Sequence, residues 1–178
     1  MRVVAGRAKG HNLKTPQGLD TRPTLDRVKE SVFSMLYPYL EGSFVLDLFA
    51  GSGGLGIEAI SRGAEKCVFV DSSKKAYDCI LENLKHTKLS DYALVYLKNA
   101  EDFLNQNLEK FDIVFLDPPY SKGMEKNIFP KLLKVIKDNG IVVLETEVLA
   151  GEFDGFNLIK QVKYGRVYIS VYKKGESK

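Results

Sequence analysis

The run FDIVFLDPPYSKG, residues 111 to 123, carries apolar strand-forming sequence straight into an acid, two prolines and a tyrosine. A carboxylate at the end of a buried strand is costly unless it has a partner. Pro118 and Pro119 restrict the backbone after Asp117 and remove two amide donors, which leaves carbonyls as acceptors with no competing N–H. Acceptors of this kind suit an exocyclic amine on a nucleotide base. Such an amine is a poor nucleophile because its lone pair is delocalised into the ring. Holding its hydrogens on the Asp117 carboxylate and the Pro118 carbonyl favours the tetrahedral, localised form. Tyr120 can stack on a base that has left its own stack. The plainer alternative is a proline-stiffened loop between a strand and a helix.

A second cluster lies upstream in DLFAGSGGLGIEA. Gly51, Gly53 and Gly56 fit G-x-G-x-x-G between a strand and a helix, a turn that lets backbone pass close to a cofactor and leaves a helix N-terminus open. Nicotinamide, flavin and S-adenosylmethionine (AdoMet) sites all use such turns. Asp47, just before the loop, separates them, because its charge repels a pyrophosphate and attracts an ammonium and a sulfonium. The alternative is a carboxylate that bonds the loop's own amides. Asp71 follows Gly51 at the spacing of about 20 residues where an acid accepts from ribose hydroxyls, a feature that NAD and AdoMet sites share. Asn99-Ala100 falls where an adenine edge is expected, but Glu101 and Asp102 follow, so ordinary helix capping fits equally well.

Positioning these groups takes alternating elements. The segments 44 to 49, 66 to 71, 93 to 99, 111 to 117 and 140 to 146 read as strands, and 54 to 62, 74 to 87, 100 to 108 and 124 to 138 as the helices between them. This alternation, with strands that are almost continuously apolar, predicts a parallel sheet covered on both faces. A helix precedes the first strand, with an apolar stripe at Leu25, Val28, Val32, Leu36 and Tyr39 and with Pro38 and Gly42 at its end. The tail NLIKQVKYGRVYISVYKK has room only for two strands turning at Tyr164-Gly165, an antiparallel hairpin.

The 178 residues suffice for one core, so a single domain over 1–178 is expected, with a basic arm and helix in 1–42 and the cofactor-binding core in 43–178. The chain is 44% hydrophobic and 28% charged, with no apolar run long enough to span a bilayer and no signal-peptide core at MRVVAGRAKG. These features, and only two cysteines, point to the cytoplasm. Cys67 and Cys79 have no metal-like spacing and read as core thiols. His11 and His86 have no catalytic neighbours in sequence, and Glu145 and Glu147 are set aside as strand-end acids. The net charge of +3 says little, but Arg2, Arg7, Lys9, His11 and Lys14 all precede the first acid, Asp20. That one-signed block fits contact with phosphates, the RVV run pairing locally as a small hairpin; it also fits a solubilising tail. Arg22, Arg27 and Lys29 at the start of the first helix border a target pocket, or simply pair with Asp26 and Glu30.

DLFAGSGGLGIEA followed by DPPY resembles the AdoMet-dependent methyltransferases of exocyclic amines. RVVAGRAKGHNL and RPTLDRVKESVF (22 to 33) narrow the resemblance to the RsmD family, bacterial enzymes that methylate the N2 amine of one guanine in 16S ribosomal RNA. The resemblance covers essentially the whole chain. It implies an α/β, Rossmann-like class I methyltransferase fold, a mostly parallel doubly wound seven-stranded sheet with a C-terminal antiparallel hairpin and a small N-terminal β-hairpin and helix extension. It implies AdoMet held at Asp47, Phe49, Gly51, Gly53, Asp71, Ser72, Asn99 and Ala100, and catalysis at Asp117, Pro118, Pro119 and Tyr120. It puts RNA on Arg2, Arg7, Lys9, Lys14, Arg22 and Arg27. The partner implied is 16S rRNA within the 30S subunit or a late assembly particle, bound by a monomer that needs no metal or membrane.

Overall fold

The computed structural model describes residues 1–16, 24–119 and 123–175. Seven strands form one sheet in the order β3-β2-β1-β4-β5-β7-β6. They are β1 (Phe44–Leu48), β2 (Lys66–Asp71), β3 (Ala93–Leu97), β4 (Phe111–Leu116), β5 (Ile136–Thr146), β6 (Phe156–Tyr164) and β7 (Val167–Lys174). The first five pair in parallel, while β7 runs antiparallel to both β5 and β6. The strand order reverses between β1 and β4, so a crevice opens at their carboxyl ends. The sequence-predicted parallel sheet and terminal hairpin are both present.

Helices cover both faces. On one face α1 (Thr24–Leu40), α2 (Gly54–Ser61) and α3 (Lys74–Thr87) pack over Val45, Phe69, Ile113, Phe115 and Ile141. On the other, α4 (Ala100–Gln106) and α5 (Glu125–Val135) pack over Leu46, Val68, Val114, Val142 and Tyr172. Alternation along each strand sends successive side chains to opposite faces. β1 and β4 are therefore apolar except at Asp47 in β1 and at Asp112 near the start of β4, with Asp117 following the last β4 residue.

Two departures from the sequence reading have local physical causes. Helix α1 runs past Pro38 to Leu40 because Pro38 lies on its exposed face, where water can serve the carbonyl that loses its partner. Tyr39 is likewise exposed, and Phe33 and Leu40 fill the apolar stripe in its stead. Helix α5 stops at Val135 and β5 begins at Ile136, earlier than 140. Ile136 is fully buried and pairs with Phe111, and residues 137–140 then bulge out before Ile141 pairs with Ile113. Asn139 takes a left-handed φ of 62° in that bulge, and Lys137 is held by Asp112 at 2.8 Å.

The N-terminal arm folds back on itself as the RVV run suggests. Arg2 and Asn12 form an antiparallel bridge, and the Val3 amide donates to the His11 carbonyl at 2.9 Å. The arm does not trail free. Glu58 on α2 is fully buried and accepts from the amides of Val4 (2.9 Å) and Ala5 (3.0 Å), from the Lys29 ammonium (3.0 Å) and from the Arg62 guanidinium (2.8 Å). Burial alone would raise its pKa, but Lys29 and these other donors outweigh it and hold the carboxyl below its ordinary value. Gly6 closes the contact: at φ 82° its backbone runs so near α2 that a Cβ would stand 1.8 Å from the Ser61 carbonyl oxygen.

Replacing Glu58 by Ala strands the buried Lys29 charge and two arm amides. Glu58→Ala should therefore lose about 3–5 kcal/mol in urea unfolding, with Lys29→Met restoring part of the loss in the double variant. A wild-type midpoint for Glu58→Ala would show that the arm is not anchored there.

Candidate active site at the carboxyl edge of the sheet

Strand β1 delivers Asp47 and then turns sharply. Phe49 has a φ of 66°, uncommon for a residue with a side chain, and Gly51 and Gly53 follow at 57° and 77°. The turn is held from the neighbouring strand: the Ala50 amide donates to the Val70 carbonyl (3.0 Å) and the Gly51 amide to Asp71 Oδ2 (2.9 Å). The glycines have different work. A Cβ on Gly56 would sit 2.3 Å from the Phe69 ring, so this glycine lets α2 lie against β2, whereas a Cβ on Gly51 would meet nothing within 4 Å. Gly51 therefore faces open space at the crevice. Gly53 packs behind it, toward Ile80 and Phe69.

Asp47 is 3% exposed, and its Oδ2 accepts from the Gly56 amide at 2.9 Å. One carboxylate oxygen thus braces the glycine loop, as the second sequence reading of this residue has it. Burial, opposed by that hydrogen bond and aided by the charge of Asp71, raises its pKa to about 7. Asp71 is itself bonded to amides on both oxygens, Gly51 on one and Ser73 (2.8 Å) on the other. A carboxylate has further lone-pair sites, so these bonds fix its direction without exhausting it.

Register places the remaining acids. Asp47 pairs with Phe115, so Asp117 stands two residues further along β4 on the same face. Leu116 pairs with Leu144, which sets Glu145 level with Asp117 on the adjoining strand. Asp47, Asp117 and Glu145 thus project from three neighbouring strands toward the α1 side. The Asp117 carboxyl is pushed well above the usual range, first by burial and then by the charges of Glu145 and Asp47. Pro118 is buried and Pro119 exposed beyond it. Tyr120 and Arg22 lie outside the described residues. Local sequence gives Glu145 no role; only the parallel register, with Asp117 one residue past the last paired position, marks it.

Beside the acids a cleft of about 450 Å³ opens between the ends of β1, β2 and β3. It brings together Phe49, Asp71, Ser72, Asn99, Ala100 and Pro119. Five of these are sequence-predicted cofactor residues, and the sixth belongs to the DPPY run. Asn99 also caps α4, accepting from the Asp102 amide at 2.8 Å. Met124 and Lys98, which no sequence signal singled out, complete part of the wall.

The arm's cations are spread over α1, α3 and the turn before β3, and none lines the cleft. Arg2 pairs with Asp26 at 3.0 Å, Lys14 pairs with Glu82, and Lys9 is exposed. The Arg7 guanidinium lies 4.5 Å from the Tyr92 ring centroid, just before β3 begins and thus at the amino edge of the sheet. Arg27 on α1 is exposed, but Lys29, read as a cation bordering the pocket, is buried against Glu58 and the Arg2 carbonyl. His11 and His86 meet edge to face at 5.3 Å where the arm crosses α3, and both cysteines are buried, with burial pushing both thiols up.

The profile of the family described as "Conserved hypothetical protein 95" matches residues 1–173. The chain is 42% identical to YlbH of Bacillus subtilis (strain 168), over 98% of this chain and 99% of that one. It is 40% identical to "Ribosomal RNA small subunit methyltransferase D" of Haemophilus influenzae, over 83% of this chain and 79% of the relative, and 34% identical to the Escherichia coli (strain K12) protein of that name, over 85% and 77%. Among solved structures, yhhF from Escherichia coli superposes with a TM-score of 0.90 at 31% identity, covering 99% of both chains. The family match over residues 1–173, and the agreement with these relatives over most of their length, establish that the chain belongs to the RsmD family.

Proposed function

We propose that this protein transfers a methyl group from AdoMet to the exocyclic N2 amine of a guanine in small-subunit ribosomal RNA. Its family makes it an rRNA methyltransferase; the N2 amine rests on the family resemblance joined to the acceptors at Asp117 and Pro118. The observation that carries the reading is the placement of Asp47 and Asp117 on one face of adjacent strands, beside the glycine loop and over the strand-order reversal.

The residues fit AdoMet. The cleft offers an aromatic wall at Phe49, an acid at Asp71 for ribose hydroxyls and the Asn99-Ala100 backbone for a base edge. Next to it, Asp47 offers negative charge of the sign an ammonium and a sulfonium need. When bound, AdoMet supplies an electrophilic methyl group. The Asp117 carboxylate and the Pro118 carbonyl hold the two hydrogens of the target amine and so expose its lone pair. A carboxyl whose pKa is already raised is also suited to take up the proton that the amine sheds on methylation. Tyr120 is proposed to hold the base plane. The arm and Arg27 are proposed to meet RNA phosphates, and the substrate is proposed to be the 30S subunit or a late assembly particle, acted on in the cytoplasm by a monomer without metal. Among the described residues no helix is long and apolar enough to cross a membrane.

Labelled AdoMet supplied with 30S particles from a strain lacking this protein should mark one guanine, mapped by mass spectrometry, and naked rRNA should be labelled less well. Asp117→Ala should lower transfer by at least about 10²-fold, with AdoMet affinity within a few-fold of wild type. Near-normal turnover in that variant would remove the proposed amine acceptor.

Asp47 links the site to stability. Its folded pKa lies above its ordinary value of 3.8, so its contribution to stability is fully present below that pH and is lost as pH rises through about 7. Asp47→Asn keeps an acceptor for the Gly56 amide and removes the charge. It should melt at a higher temperature than wild type at pH 8, with the gap narrowing as pH falls below 7 and closing only near pH 4, and should bind AdoMet about tenfold more weakly or worse. Equal melting temperatures across that range would mean that Asp47 ionises without strain.

A further inference from the structure

The turn between β6 and β7 lies at the same edge as Asp117. Tyr168 pairs with Thr146 at the end of β5, and Tyr164 pairs with Val167, so Gly165 and Arg166 form the tip beyond the strand ends. Tyr164 packs into the core beneath α1, and its hydroxyl meets the Ser31 hydroxyl, which ties the turn to that helix. Arg27 lies one helical turn before Ser31 on the same stripe, nearer the carboxyl edge. On the other side of the hairpin the Lys163 ammonium lies 5.1 Å from the centroid of the Tyr168 ring. Arg27, Lys163 and Arg166 are all exposed, and none is paired with a carboxylate of the described residues.

We propose that the β6–β7 turn, with Arg27 beside it, is the surface that receives the RNA strand flanking the target base. The proposal rests on the reading of the protein as an RNA methyltransferase and adds to it a second contact surface, separate from the N-terminal arm. Charge complementarity selects the partner: three exposed cations that no carboxylate of the described residues neutralises, around a tip where backbone stands clear and with an aromatic ring among them, fit phosphates and an unstacked base. A strand laid across the tip meets Arg27 on the α1 side and Arg166 and Lys163 beyond it. The arm contrasts with this surface, since Arg2 and Lys14 are already paired with acids and Arg7 covers Tyr92 at the far edge. The target amine must reach Asp117, so contacts at its own edge of the sheet fix which base enters, while contacts at the far edge add affinity alone.

The test uses the full chain and a fluorescein-labelled single-stranded RNA taken from the methylated region, with binding followed by anisotropy between 50 and 200 mM salt. The double variant Lys163→Ala/Arg166→Ala should bind about fivefold or more weakly at the low-salt end. Its salt slope should fall by about 1.4, two phosphates at about 0.7 each for a single strand. Lys110→Ala, an exposed cation at the start of β4 on the opposite edge, should match wild type. An unchanged slope in the double variant, or an equal loss in Lys110→Ala, overturns the surface. If the wild type binds RNA with the turn-dependent slope yet methylates no base in 30S particles, the surface stands and the proposed function fails. If it methylates 30S particles and the double variant does so with unchanged KM for the particle, the function stands and the surface fails.

Discussion

Asp47 and Asp117 share one face of two adjacent parallel strands, with Glu145 level with Asp117 on the third. Burial raises both aspartates, and neighbouring charge adds to it, from Asp71 at Asp47 and from Glu145 and Asp47 at Asp117. In a protein whose only task was to stay folded, a neutral acceptor for the Gly56 amide would serve better than a charged one at Asp47. The acids make sense where cationic charge and hydrogen-bond donors arrive from outside, and the rest of the crevice is arranged to admit them. The strand order reverses there, the glycine turn opens beside it, and Asp71 braces that turn from the next strand.

A second carboxylate supports the first group at a distance. Glu58 is buried on the helix that leaves the glycine turn and binds both the arm backbone and Lys29 of α1. The arm is thereby built into the covering layer of the sheet. Met1 rests where a side chain on Gly54 would stand, and Asn83 of α3 bonds both the Ser52 carbonyl in the loop and the Lys14 carbonyl in the arm. Loop, arm and first helix are consequently one packed unit, and a change in the arm's seating reaches the loop through direct contacts.

Much of this is legible in residue types. The alternation of apolar runs and amphipathic segments gives the sheet, and six of the expected site residues line one cleft, though Asp47, Gly51 and Gly53 lie outside its walls. What sequence hides is register and pairing. Nothing in the local pattern tells that Lys29 turns inward to Glu58, because a lysine beside Asp26 and Glu30 looks like a solvated helix end. Glu145 looks like any acid at a strand end until β4 and β5 are aligned. The early start of β5 at Ile136 is likewise invisible, since the polar run Lys137–Asn139 reads as a helix end and only the burial of Ile136 against Phe111 draws it into the sheet. Tyr164-Gly165 reads as a turn in sequence, but the cations beside it gain meaning only from lying at the edge that carries Asp117.

The central claim is that the acids at this edge are held in tension that the cationic cofactor relieves. Carboxyl carbon-13 titration of Asp47, in the free protein and with AdoMet bound, measures it directly. The account predicts a midpoint near 7 in the free protein that moves down toward the ordinary carboxylate range on binding. A midpoint already in that range without AdoMet, and unmoved by it, would contradict the account.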